Sequence, residues 1–168
     1  MNSAQKHNND QAPVLVIVGP TASGKTGLAV KVAQVFSARK GCNIEAGETA
    51  AEVISADSRA IYKQMDIGTA KPDMEERGGI PHYGFDLVEP GERFTVFEFQ
   101  QYAHECIDKI RVQGKLPIVA GGTGLYVDAL IFDYDFSDNS KKNYTNRQEM
   151  SSDYVVVGID WPREILRQ

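Results

Sequence analysis

Val14-Leu15-Val16-Ile17-Val18, followed directly by Gly19-Pro20-Thr21-Ala22-Ser23-Gly24-Lys25-Thr26, decides how the rest of the chain is read. Five consecutive apolar residues make a buried strand, and the next eight have the form G-x-x-x-x-G-K-[ST] at the start of an amphipathic segment. The two glycines let the backbone wrap closely enough for successive N–H groups to point at phosphate oxygens. The dipole of the following helix, the Lys25 ammonium and a Thr26 hydroxyl suited to Mg²⁺ complete the cradle. The ligand class implied is a di- or triphosphate. A glycine-bearing turn that bound nothing would have no use for the Lys25-Thr26 pair.

Outward from this loop, apolar and polar segments alternate. A helix starting near Gly24 sets Leu28, Val32, Val35 and Phe36 on one face. The stretch 39–51 is polar and glycine-bearing, a surface loop or short helical excursion. Residues 52–56 read as a second strand, and Ser58 or Asp57 at its end could cap a short helix through Tyr62. A glycine- and proline-rich loop (65–81) and a brief strand (83–88) follow. Thr95 with Glu98 has the capping-box spacing, ahead of a helix whose Phe99, Ala103, Cys106, Ile107 and Ile110 share a face and which stops at Gly114. Residues 116–120 form the next buried strand, ending in Gly121-Gly122-Thr123-Gly124 and a helix over 125–131. The strand at 154–159 precedes Pro162, well placed as the first residue of a final helix.

This order predicts an α/β fold, a doubly wound parallel sheet with flanking helices and ligands at the carboxyl ends of the strands. The loops after Val18, Ala56 and Ala120 should converge. The chain divides into a disordered tail (1–12), a catalytic core (13–132), a polar linker (133–153), and a returning core strand with the start of a helix (154–168).

Bulk properties narrow the partners. At 168 residues, 42% apolar and 24% charged, the chain can bury one ordinary globular core. A formal charge of −5 gives no global attraction to nucleic acid, so such binding would need a local basic surface. No apolar run approaches the ~20 residues that span a bilayer, and the N-terminus lacks a signal peptide's apolar core. Cys42 and Cys106 are far apart, which favours reduced thiols and a cytoplasmic setting.

Two further strand ends carry chemistry. Asp57 in Ser55-Ala56-Asp57-Ser58-Arg59 could accept a proton from a nucleophile aimed at the bound phosphate ester, or could serve only as a helix cap. Arg59 could contact phosphate or be solvated. Gly121-Gly122-Thr123-Gly124 allows close backbone approach to a ligand, or is a plain tight turn. No aspartate ends the strand Val119-Ala120, unlike the Mg²⁺-holding aspartate of many ATPases, which favours a transferase over an ATP-hydrolysing motor. Lys71 could reach a phosphate or be exposed, and His82, without a metal-spaced partner, reads as structural. Asp133, Asp135 and Asp138 read as a solvated acidic loop.

Taken together, GPTASGKT, ISADSRAIYKQMDIGTAKP, IPHYGFDLVEP and PIVAGGTGLYVDALI resemble the tRNA dimethylallyltransferases (tRNA isopentenyltransferases). The resemblance runs from Val14 to about Ile131 and resumes at VVVGIDWPREIL. It implies a P-loop NTPase-like fold and transfer of a dimethylallyl group from dimethylallyl diphosphate to N6 of adenosine 37, beside the tRNA anticodon. By the same resemblance Asp57 is the general base and Thr21 lies at the reacting centre. Gly19, Pro20, Thr21, Ala22, Ser23, Gly24, Lys25 and Thr26 bind the diphosphate, and Thr26 holds Mg²⁺. Asp57, Ser58, Arg59, Ala60 and Thr123 match tRNA contacts to the anticodon stem-loop, and a monomer is expected.

The family pattern is longer. It carries a helical insertion where 133–153 stands here, and further basic helices past the position of Gln168. The expectation for this chain is therefore diphosphate binding with weak or no tRNA modification. A small-molecule or nucleotide kinase is the alternative, with Arg147 or Arg163 as candidate lid residues. An inactive phosphate-binding module is a third reading.

Overall fold

The computed structural model describes residues 12–66, 69, 71–136 and 150–159. The expected tail, most of the linker, the Pro162 helix and both candidate lid arginines lie outside the described residues.

Five strands, β1 (Val14–Val18), β2 (Ala51–Ser55), β3 (His82–Tyr83), β4 (Leu116–Gly121) and β5 (Tyr154–Gly158), form one sheet in the order β3-β2-β4-β1-β5. All pairings are parallel. Among the described residues three helices, α1 (Lys25–Arg39), α2 (Val96–Val112) and α3 (Gly124–Ile131), cover it, with a 3₁₀ turn at Ile44–Ala46. The expected doubly wound arrangement is present. Strand alternation splits the core in two. Val14, Val16, Ile54 and Val119 face α2 and α3, while Ile17, Val53, Ile118 and Ala120 face α1.

The winding creates the site. From β1 the chain passes through α1 over β4 to β2, and from β4 it continues past β1 to β5. The direction of winding therefore reverses between the parallel neighbours β1 and β4, the place where open α/β sheets bind ligands. Among the described residues no helix is long and apolar enough to cross a membrane.

α2 matches its sequence signals. The Thr95 hydroxyl accepts the Glu98 N–H at 3.2 Å, Glu98 Oε2 accepts the Thr95 N–H at 2.6 Å, and Phe99, Ala103, Cys106, Ile107 and Ile110 are all buried. α1 matches only in part. Val32 and Phe36 pack, partly buried, against the core, but the fully buried residues are Ala29, Val30, Ala33 and Ser37, and Leu28 and Val35 are 37% and 42% exposed. The sheet surface beneath is already built of branched residues, so the helix meets it with its small side chains.

Two short elements also differ. No helix follows Ser58: the chain makes only single turns, with Ala60 N donating to the Asp57 carbonyl at 3.2 Å and Tyr62 N to that of Arg59 at 3.5 Å, and the next carbonyls pair across to other segments, so the turn does not propagate. Ala60 O accepts from Asp86 N, Ile61 O from Leu87 N, and Tyr62 O from Lys71 Nζ. The strand expected over 83–88 shrinks to His82–Tyr83, with one isolated bridge between Tyr62 and Val88. Gly84 ends it at φ 87°, so close to β2 that a Cβ would lie 2.6 Å from the Ser55 carbonyl oxygen.

Candidate active site

The loops after β1, β2 and β4 meet because their strands are in register, with Val18 opposite Gly121 and Ser55 opposite Ala120. Gly121 allows the last approach. A Cβ there would lie 2.2 Å from the Ala56 carbonyl oxygen. The Ala56 and Thr123 amides then close the junction, donating to the Ala120 and Ala56 carbonyls at 2.9 and 3.2 Å.

In the phosphate loop, Ser23 N donates to the Pro20 carbonyl at 3.2 Å, and both Ala22 (φ 63°) and Gly24 (φ 80°) are left-handed. This curls successive amides into an anion-binding concavity at the N-terminus of α1. Lys25 Nζ folds back to the Pro20 carbonyl. Desolvation lowers the Lys25 pKa below its ordinary value, and the charge of Asp57 partly opposes that shift. The two groups therefore face one another electrostatically across the site.

A cavity of about 510 Å³ opens between them. The phosphate loop contributes Thr21, Ala22, Gly24, Lys25 and Thr26, the β2 tip contributes Asp57, Ser58 and Arg59, and the β4 tip contributes Ala120 to Thr123. The volume is in the range of small-molecule sites. Asp57 Oδ1 accepts the Arg59 N–H at 2.9 Å. This is a turn bond rather than a helix cap, since no helix follows. Thr123 Oγ1 accepts the Ser58 N–H at 2.9 Å and donates to Ser58 Oγ at 3.2 Å, tying the β2 and β4 tips together.

Not every site residue named from the sequence reaches the cavity. Gly19, Pro20 and Ser23 shape the loop from behind, and a Cβ on Gly19 would lie 2.8 Å from the Ile159 carbonyl oxygen. Ala60, 2% exposed, is turned into the core. Thr69 lines the cavity and was not singled out; nothing in its local sequence distinguishes it from other loop threonines. Lys71 is neither exposed nor at the phosphate loop, but buried against Tyr62, Asp66 and Asp86. His82 is structural as read: Nδ1 lies 2.8 Å from the Ile80 carbonyl, and the ring stacks on Phe85.

A family model described as IPP transferase matches residues 60–167. The chain belongs to this family. It is 49% identical over 148 residues to the tRNA dimethylallyltransferase of Acetivibrio thermocellus, covering 84% of this chain and 43% of that one. It is 40% identical to the corresponding protein of Bacillus mycoides, covering 92% and 44%. Among solved structures it resembles the full-length tRNA isopentenylpyrophosphate transferase of Bacillus halodurans, with TM-score 0.64, 41% identity and coverage of 76% of this chain and 38% of that one. A eukaryotic dimethylallyltransferase solved acting on tRNA gives TM-score 0.65 and 32% identity, covering 80% and 30%. The chain thus spans less than half the length of these curated relatives. The P-loop NTPase-like fold expected from the sequence agrees with these likenesses.

Proposed function

We propose that the cavity binds dimethylallyl diphosphate and serves transfer of its five-carbon group to N6 of adenosine 37 in a tRNA anticodon stem-loop. The observation that carries this reading is the placement of the Asp57 carboxylate and the phosphate loop on opposite tips of one cavity. The names borne by the relatives supply the substrate class and favour it over a kinase.

In the reaction, the adenine N6 lone pair attacks the donor's C1 and the C1–O bond breaks with its electron pair going to diphosphate. The N6 proton passes to Asp57. Adenine's amine is a poor nucleophile because its lone pair is delocalised into the ring, so removing that proton as the bond forms is worth about 10²–10⁴ in rate. The loop amides, Lys25 and Thr21 stabilise the charge that collects on the leaving group. Thr123 and Ser58 hold the β2 tip where the base enters, and Arg59 lies beside it to meet RNA phosphate. The target base would have to leave its stack to reach this position.

The donor set fits Mg²⁺, which takes few protein ligands, keeps waters and leans on substrate phosphates. Thr26 at the first turn of α1 supplies the hydroxyl, and among the described residues no cluster of three acidic, His or Cys side chains offers a self-sufficient metal cage. Bound there, the ion would offset charge on the departing diphosphate. A cytoplasmic monomer is the working form in this reading.

The test is incubation with unmodified tRNA and dimethylallyl diphosphate, followed by a search for N6-dimethylallyladenosine in nuclease digests. Donor binding is expected from the chain as it stands, with weak transfer. Turnover of ATP onto a small acceptor without prenyl transfer would overturn the assignment.

A further inference from the structure

Lys71 lies outside the phosphate machinery, yet its side chain is only 5% exposed. Its ammonium donates to the Tyr62 carbonyl at 2.6 Å, to Asp86 Oδ1 at 2.7 Å and to Asp66 Oδ1 at 3.0 Å. Three donors meet three acceptors. Burial alone would lower the lysine's pKa, but the bonds to Asp86 and Asp66 more than offset it and hold the charged form.

The clamp sits at a crossing of the chain. Residues 86–88 strap residues 60–63 through Asp86 N to Ala60 O (3.3 Å), Leu87 N to Ile61 O (2.7 Å) and Lys63 N to Val88 O (2.9 Å). Asp86 accepts this position in the left-handed region, at φ 55°. Cavity residues stand on both sides of the strapped stretch: Asp57, Ser58 and Arg59 before it, Thr69 after it. Thr69 lines the cavity at 6% exposure, with its hydroxyl held by the Met65 carbonyl. Asp66 and Asp86 are themselves 72% and 49% exposed, so their ion pairs with Lys71 add little stability, and what the clamp supplies is a fixed geometry at the crossing.

The phosphate loop accounts for the diphosphate, and the remaining walls are left for the prenyl group and the incoming base. We propose that Lys71 is a positioning residue, holding Thr69 and the Asp57–Arg59 turn at the separation that forms the prenyl-side wall of the cavity. This rests on the donor reading given above.

Titration calorimetry with dimethylallyl diphosphate and with inorganic diphosphate tests it. The proteins compared are the unaltered chain, Lys71→Met, and Lys71→Met combined with Asp66→Asn and Asp86→Asn. Asp66 and Asp86 are exposed, and the triple variant removes the clamp without leaving the two like charges side by side and unpaired, so it should melt close to the unaltered protein. Both variants should bind dimethylallyl diphosphate about tenfold more weakly, as expected for a misplaced contact wall, with less than about a twofold change for inorganic diphosphate. Thr69→Ala, which leaves the clamp intact, should reproduce the selective loss. Equal weakening of both ligands, recovery of donor affinity in the triple variant, or full affinity in Thr69→Ala would each overturn the role of Lys71. An unaltered chain that bound neither ligand would instead overturn the donor reading, and this inference with it.

Discussion

Lys25 and Asp57 face one cavity, and the proposed reaction would have them act on different species there. In it Lys25 would meet the diphosphate in both ground and transition states, through charge-assisted bonds of about 1.5–3 kcal/mol. Lys25→Ala should therefore weaken inorganic diphosphate binding by at least about tenfold in calorimetry. In the same proposal Asp57 would be required only when a proton leaves the nucleophile. Asp57→Asn keeps an oxygen for the Arg59 N–H bond, so diphosphate affinity should hold or rise, while prenyl transfer to tRNA falls by about 10²–10⁴. Parallel loss of both activities would contradict the general-base role. The position of Asp57 was legible because a strand end beside a phosphate loop has few geometries open to it. Lys71 was not, because its partners Tyr62 and Asp86 lie 9 and 15 residues away and only the folded crossing brings them together.

At the scale of elements, α2 shows a local rule surviving intact. Its Thr95–Glu98 box satisfies amides that the helix itself leaves unpaired, and Thr95→Ala should cost about 1 kcal/mol in denaturant unfolding at neutral pH. The backbone and hydroxyl bonds from Thr95 lower the Glu98 pKa below its ordinary value. A lowered carboxylate stabilises the fold above the unfolded pKa and loses that effect as pH falls through the folded one. The gap between the unaltered protein and Thr95→Ala should thus narrow on acidification below about pH 4.3, the ordinary glutamate value. A gap that stayed constant with pH would remove Glu98 from the cap. The cap and apolar stripe of α2 could be read from its sequence because both rest on residues spaced at most four apart. α1 had an equally regular stripe, but which face it buries depends on the branched side chains of β2 and β4 beneath it. The curtailed strand at β3 likewise follows from Gly84 packing on Ser55, a contact invisible along the chain.

Over the whole molecule, the site is a property of the winding, so occupying it should be felt at three strand tips that are distant in sequence. A ligand at a hundred times its dissociation constant stabilises the fold by about 2.7 kcal/mol. For a chain of this size that amounts to roughly 5–10 °C in melting temperature. The distribution of the effect is more telling than its size. In the proposed complex diphosphate would touch amides of the phosphate loop directly. The β4 tip meets that loop at Gly122, where a Cβ would lie 3.5 Å from the Gly19 carbonyl oxygen and from Lys25 Nζ, and the β2 tip is tied to β4 by the Gly121–Ala56 contact and the Ser58–Thr123 bonds. Hydrogen exchange with saturating inorganic diphosphate should accordingly slow over 19–26, and also at Ser58 and Thr123. The exposed edge residues Val155, Val156 and Val157 of β5 (37–49% exposed) should exchange more slowly only by the amount of global stabilisation. Protection confined to 19–26 would mean that the three loops are neighbours without forming one site, and the Asp57 side of the cavity would then need another ligand to explain it.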